Sequence, residues 1–262
     1  MGMAYQESLA VIRPRGLGAA AVVLGSGLTF AAFAGLAMVP AGWRLGLWYY
    51  SVSIRLFEYS AYVAAAGALV SLAALAGWAR LGRAHRAASV ASLILAAALV
   101  YWPWHYTRLA AMTPPIHDIT TDTVNPPVFW VVLPSRAAER ALPIEYGGQA
   151  VARLQRAYYG DIKPVETGLP PREAFALALS VAQAMPGWID VIAEPSARRI
   201  EASQQSFWMG FTDDVSIRVA PHGKGSRIDV RSLSRQGTGD FGVNAARVRA
   251  YLAALNAALA AK

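Results

Sequence analysis

The chain contains no cysteine, so disulfides, zinc–thiolate sites and thiol nucleophiles are excluded from its 262 residues. Charge is scarce too. Only 15% of residues are Asp, Glu, Lys or Arg, against about 25% in an ordinary globular domain. With 55% hydrophobic residues and a mean hydropathy of +0.34, part of the chain must lie in apolar solvent or in a deep core. Acidic residues are nearly missing from the first 104 positions, where seven Arg and no Lys face only Glu7 and Glu58, a net +5. Residues 105–262 hold 17 bases against 14 acids, a net +3, and the two parts make up the +8 of the whole. No basic stripe interleaved with aromatics accompanies that charge, so no nucleic-acid surface is expected.

What the first part does contain is three long apolar runs, over 16–39, 59–79 and 87–104, none with an acidic or basic residue, the third starting after Arg86. A run of about 20 residues spans a hydrocarbon core of about 30 Å. The first is too long for a signal-peptide core of about 7–15 residues. The third is the shortest and is expected to end near Pro103, in an aromatic belt of Tyr101, Trp102, Trp104 and Tyr106. Arg13, Arg15, Arg80, Arg83 and Arg86 fall on one side of these runs and only Arg44 and Arg55 on the other. By the positive-inside bias, the tail and the second loop are cytoplasmic and residues 105 onward lie outside. The aromatic first loop, 42–57, reads as a segment in the headgroup region. Gly27, Ala31 and Gly35 recur every four residues and predict a close helix–helix contact, within the bundle or between copies. The absence of ionisable residues inside the runs argues against an ion or proton path.

After Thr107 the texture changes. Pro114-Pro115 and Pro126-Pro127 break the chain into extended pieces, with short strands expected over 116–119 and 128–132. A helix is expected over 149–158, an extended stretch over 161–165, and a helix over 170–185 that starts at paired prolines and stops at Pro186-Gly187. Four strands are expected over 188–193, 199–206, 215–220 and 227–234, the last two with clear alternation. A final helix over 243–260 has Val248, Leu252, Leu255 and Leu259 as its stripe. The predicted fold is α+β. A three-helix transmembrane anchor precedes an antiparallel sheet that packs helices on one face and carries Glu201, Arg218, Asp229 and Arg231 on the other. The domain plan is a cytoplasmic tail over 1–15, a transmembrane region over 16–104 and a periplasmic domain over 105–262.

Several stretches of this second part form an ordered set: Ile119-Thr120-Thr121-Asp122-Thr123-Val124-Asn125-Pro126-Pro127, Arg199-Ile200-Glu201-Ala202, Asp213-Asp214-Val215-Ser216-Ile217-Arg218-Val219, Ile228-Asp229-Val230-Arg231-Ser232 and Ser234-Arg235-Gln236-Gly237-Thr238-Gly239-Asp240-Phe241-Gly242-Val243-Asn244-Ala245-Ala246-Arg247. Together they resemble the bacterial domain-of-unknown-function family numbered 1499. The resemblance implies a domain type in a bacterial envelope setting, often behind transmembrane helices. It implies no catalytic residue.

Candidate sites follow from local chemistry. The loop 234–244, with Arg235, Gly237, Gly239, Asp240 and Asn244, feeds a helix N-terminus. It would either hold an anion on free N–H groups and the Arg235 fork, or cap the helix with Asp240 or Asn244 while the glycines turn the chain. Glu201, Arg218, Asp229 and Arg231 would be a polar groove for a ligand, or solvated cross-strand ion pairs. No metal is expected, Asp213, Asp214 and Asp240 being weak candidates for a divalent cation. His117, Asp118 and Asp122 would support acid–base chemistry, but no nucleophile motif accompanies them. The turn Phe207-Trp208-Met209-Gly210-Phe211 is either a core plug or an exposed apolar lip.

The leading expectation is a non-enzymatic module tethered to the bacterial inner membrane, with no cofactor. Its partners would be the lipid bilayer and an envelope protein or an anionic or amphipathic ligand. A second reading is an envelope hydrolase for lipid or wall material that works through Asp213, Asp214 or Asp240. A third is an accessory or assembly subunit of a membrane complex, using Gly27, Gly35 and the aromatic first loop.

Overall fold

The computed structural model describes residues 15–77 and 81–262. Arg13, Arg80 and all but the last residue of the expected 1–15 tail lie outside them. The chain forms two compact units that divide after His105.

The first unit is built from α1 (Arg15–Arg44), α2 (Tyr50–Ala76) and α3 (Arg83–Met112). All three helices are long and apolar enough to cross a membrane. The helices are longer than the apolar runs: the first continues through Pro40 to Arg44, and the other two also differ from expectation. The second helix starts at Tyr50, well before the apolar run, because Arg55 and Glu58 take exposed positions that a helix tolerates. Most of the expected headgroup segment, 42–44 and 50–57, is therefore helical. The third helix runs on through Pro103 to Met112. Proline removes one N–H from the ladder, and the helical turns on both sides carry the segment across it.

The inward positions of this unit recur at three- and four-residue steps. On α1 they are Val22, Gly25, Thr29, Ala32, Leu36 and Val39. On α2 they include Ser60, Ala64, Gly67, Ser71 and Ala74. On α3 they are Ser89, Ser92, Ala96, Leu99 and Pro103. This is the spacing of helices wound in a shallow left-handed coil. Small residues let the backbones meet: a Cβ on Gly25 would stand 2.5 Å from the Ser71 hydroxyl, and one on Gly67 would stand 2.6 Å from that of Thr29. Thr29 Oγ1 and Ser92 Oγ lie 2.8 Å apart, and Ser71 donates to Ser92 at 3.0 Å. The predicted Gly27–Ala31–Gly35 face is not the contact within the bundle. Gly27 and Ala31 are exposed, and only Gly35 meets α2, at Ser60. A four-residue step drifts around the helix, whereas the alternation of three and four keeps one stripe inward. The large apolar side chains, Leu24, Phe30, Phe33, Tyr62 and Leu69 among them, point out.

The second unit holds β1 (Asp118–Thr120), α4 (Leu133–Ala138), α5 (Gly148–Tyr158), β2 (Val165–Thr167), α6 (Pro171–Ala184), β3 (Trp188–Glu194), β4 (Arg199–Gln205), β5 (Thr212–His222), β6 (Gly225–Ser234) and α7 (Val243–Ala260). The antiparallel sheet runs β1-β6-β5-β4-β3, and β2 shares the outer edge of β6 with β1. Strands β3 to β6 form a meander in which Ile217 faces Val230 and Ile200 across the ladders. Alternation sends Ile200, Val215, Ile217, Val219, Ile228 and Val230 to one side, where they meet Ala174 and Ala178 of α6 and Val248, Tyr251 and Leu255 of α7. Trp188 stacks on Tyr251 with ring centroids 5.4 Å apart, and the Tyr251 hydroxyl donates to the Ala178 carbonyl. Gln155 of α5 closes the edge by exchanging two hydrogen bonds with the Thr120 backbone.

The opposite face is not open to solvent as expected. Residues 122–147 cross it as a strap. The strand expected over 128–132 is irregular chain that leads into the short α4. Phe129, Val132 and Ile144 of the strap pack on Leu233 and form a second, smaller apolar cluster.

Candidate functional site

Beneath the strap lies a layer of ionic and hydroxyl side chains placed there by strand alternation: Glu201 and Ser203 of β4, Asp214, Ser216 and Arg218 of β5, Asp229 and Arg231 of β6, then Arg235 just past it. A charge in such a place must be paired or hydrogen-bonded: the Asp and Arg side chains meet opposite charges, and Glu201 meets backbone N–H donors. Asp214, fully buried, accepts from Arg136 Nη1 at 2.6 Å, from Arg235 Nε and Nη2 at 3.0 and 2.7 Å, and from the Ser203 hydroxyl at 2.7 Å. Arg235 also reaches Glu139 at 2.6 Å. Arg231 makes a forked contact with Asp118 at 2.9 and 2.7 Å and donates to the carbonyls of Pro127 and Ile144. Its guanidinium lies over the rings of Phe129 and Tyr146. Asp229 binds Arg218 at 2.9 Å, Arg227 at 3.0 Å and the Thr121 hydroxyl, and Arg218 extends to Asp122 at 3.1 Å. Glu201 accepts the strap N–H groups of Trp130, Val131 and Val132. The Ser216 hydroxyl donates to the Val128 carbonyl. The strap has little ladder of its own, and the sheet's polar face supplies many of the hydrogen bonds that its backbone requires.

Burial pushes the Glu201 carboxyl up to about 7, against the three N–H donors that favour its charged form. At the strap's edge, burial opposes ionisation of Asp122. The N–H groups of Asn125 and Val124, with the guanidinia of Arg227 and Arg218, still hold it below the usual carboxylate range.

The loop after β6 is occupied as well. Asp240 accepts the N–H groups of Gly242 at 2.9 Å and Asn244 at 2.8 Å, so the donors at the start of α7 already face a carboxylate. Burial raises the Asp240 pKa in spite of those bonds. Gly237 and Gly242 take φ of 86° and 83°, left-handed turns that suit glycine, whereas Gly239 passes close to Pro115. Asn244, buried, donates to the His117 carbonyl and to Ser234 and accepts from Ser232. Arg247 of α7 ties Asp213, at 2.7 Å, to Gln204 and Asn244.

The sequence-predicted residues therefore fall into two sets on opposite faces. Glu201, Asp214, Arg218, Asp229, Arg231 and Arg235 lie under the strap. Asp213, Asp240 and Asn244 lie toward α7. Asp213, Asp214 and Asp240 are each engaged by different partners. Among the described residues, no group of three His, Asp or Glu side chains is placed to hold a metal ion. Asp118 and Asp122 answer Arg231 and Arg218, and His117 contributes its carbonyl. An open cleft of about 460 Å³ beside α7 is lined by Asp161, Lys163, Glu166, Arg249, Leu252 and Asn256. Its Asp161 is held by Arg249 at 2.6 Å, which keeps it below the usual carboxylate range. Sequence reasoning missed Arg136, Glu139 and Arg247, which complete the networks. The available signal was an arginine in a proline-broken, mostly apolar stretch, where a charge needs a partner elsewhere in the fold.

The architecture defines a class: three apolar helices that lead into a mixed α+β unit, in which a six-stranded antiparallel sheet is clamped by a strap through buried ions. Residues 118–255, more than half of the chain, match the family described as "Protein of unknown function (DUF1499)", and the chain belongs to that family. A comparison with curated proteins found no match.

Proposed function

We propose that this chain is a multi-pass protein of the bacterial inner membrane with its N-terminus in the cytoplasm. Its sheet unit works in the periplasm as a non-enzymatic binding or scaffolding module of the cell envelope. The observation that carries the reading is the destination of the ionic side chains. The groups that a hydrolytic centre would draw on are spent on one another, on the strap and on the α7 start. That arrangement suits a rigid platform. The inside-out helical unit supports membrane residence, since Ser, Thr, Gly and Ala turn inward and Leu, Phe and Tyr turn outward. The arginine asymmetry supports the sidedness. The partners in this reading are the bilayer itself and an envelope protein or an amphipathic or anionic ligand. They are met by the exposed surface around the network, because Arg235 and Arg231 are enclosed within it.

Two measurements test this. Protease added to spheroplasts should release or degrade the sheet unit while leaving the helices protected; an intact sheet unit in spheroplasts that is cut only after lysis would reverse the sidedness. Crosslinking in intact cells followed by purification of the full chain should capture a defined envelope partner. A full chain that turns over lipid or wall substrates after purification, and loses that activity with Asp213→Asn or Asp240→Asn, would overturn the non-enzymatic reading.

A further inference from the structure

The layer under the strap has one buried carboxyl without an opposite charge. Asp118 meets Arg231, Asp214 meets Arg136 and Arg235, and Asp229 meets Arg218 and Arg227. Glu201 is 1% exposed, and among the described residues no ion pair includes it. Its surroundings account for this. Along β4 its neighbours on the polar side are Arg199, bonded to neither carboxyl oxygen, and Ser203, whose hydroxyl is turned to Asp214. Strand β5 sets Ser216 opposite it, with Asp214 and Arg218 to either side. Strand β3 sets Ile192 opposite it and adds only two acids, Asp190 and Glu194. Arg231 of β6 lies beyond Ser216 and is forked on Asp118. The strap brings no charge over positions 123–135. What meets the carboxyl is therefore three consecutive N–H groups, those of Trp130, Val131 and Val132. Burial, with Asp214 adding to it, opposes a charge there and lifts the Glu201 pKa to about 7.

The strap is fixed more firmly on either side of this contact. On one side Asp122 accepts the N–H groups of Val124 and Asn125 and pairs with Arg218 and Arg227. On the other, Arg136 is bound to Asp214 and donates to the carbonyls of Leu142 and Ser234. The stretch between these anchors, 126–132, is held by Glu201, by Ser216 on the Val128 carbonyl, by Arg231 on the Pro127 carbonyl and by Phe129 and Val132 on Leu233. Pro126 and Pro127 have no N–H with which to tie it further. We infer that Glu201 is a pH-sensitive latch for strap residues 126–132, and that release of this stretch uncovers the Arg231 guanidinium beneath Phe129. The direction comes from linkage. A closed strap holds the Glu201 proton more tightly than an open one, in which water reaches the carboxyl. The stretch is held most firmly below about pH 4.5, loosens as pH rises, and changes little above 7. Between pH 5 and 8 the open-to-closed ratio rises roughly 50- to 100-fold. The latch uses only groups of the sheet unit, so it does not depend on the sidedness or the partner proposed above.

Amide hydrogen exchange of the full chain in mild detergent, divided by the intrinsic exchange rate at each pH, tests the latch. The amides of 130–132 should be at least about tenfold less protected than those of 215–219 in β5, as local opening requires. Their protection should fall roughly 50- to 100-fold from pH 5 to pH 8. Glu201→Gln should abolish that pH dependence, whatever protection the variant retains at pH 5. Strap amides as protected as those of β5 at every pH would mean that the strap leaves only when the whole unit unfolds, and this overturns the inference. So does a strap protection that is flat with pH in the unaltered chain, or one that still falls in Glu201→Gln. The first two readings need no substitution and decide the matter even where the Gln variant does not fold.

Discussion

The two units of this protein bury different mixtures of side chain. In the helical unit the inside is Gly25, Thr29, Ser71, Ser92 and Ala96, and the outside is Leu24, Phe30, Phe33 and Leu69. In the sheet unit the inside is Ile200, Val215, Ile217, Val230 and Leu255, with charges admitted only where they meet partners. The difference is the one that the proposed membrane setting of the helices would produce. Water drives large apolar groups into a core. Lipid gives no such push, so helices are held by close backbone approach and by hydroxyl hydrogen bonds, and the greasy residues remain on the surface. The sheet unit adds a second lesson: its two faces are held by different forces, an apolar core under α6 and α7 and an ionic layer under the strap.

The comparison is most easily broken at Asp214. Asp214→Ala leaves Arg136 and Arg235 beneath the strap without their shared carboxylate, and the sheet unit should lose about 3–5 kcal/mol, the usual result of removing one partner of a buried pair. Denaturant titration of the full chain in mild detergent, followed at the tryptophans, measures it; a loss below about 1 kcal/mol would mean that the ionic layer is solvated. Next in size is a matched pair of truncations. Ile200→Ala, in the apolar core, should cost about 2–4 kcal/mol, whereas Phe33→Ala, on the outer face of α1, should leave the detergent-solubilised helices almost unchanged. Equal effects at the two sites would erase the inside-out contrast.

A third test concerns Glu201. Its native carboxyl titrates near 7, above the ordinary value of 4.5, so the folded state holds this proton more tightly than the unfolded one. The stabilisation is complete below about pH 4.5 and is lost as pH rises through 7. Glu201→Gln should flatten the fall in unfolding midpoint between pH 5 and 8. It should also cost about 1–3 kcal/mol, since an amide N–H2 replaces one oxygen that faces N–H donors. An unchanged pH slope would place the titration elsewhere. The smallest effect is expected at the α7 start, where Asp240→Ala removes the acceptor for Gly242 and Asn244 and should cost about 1 kcal/mol in the same titration.

Much of this was legible before the fold. The three apolar runs, the helix opened by Pro170-Pro171, the alternation of Val215, Ile217 and Val219 and the stripe of α7 all report local periodicity, and each became the expected element. Other features were not local. Pro103 looked like a helix end because the sequence does not show whether the turns beyond it will hold. Gly27 looked like a contact within the bundle because a four-residue step resembles one until the pitch of the bundle is known. Residues 128–132 are apolar enough for a strand, but their N–H groups belong to Glu201, some 70 positions away.

Composition and period thus determined which segments are apolar, where the three long helices, the helices opened at Pro171 and Val243 and the β3–β6 meander fall, and that charged residues would line one side of the sheet. Those properties reside in neighbouring residues and need no partner. Whether that charged side would face solvent was decided only by tertiary structure. The decision rests on ion pairs between Arg136 and Asp214 and between Arg231 and Asp118, formed across long stretches of chain. No local pattern encodes which distant carboxylate a guanidinium will meet.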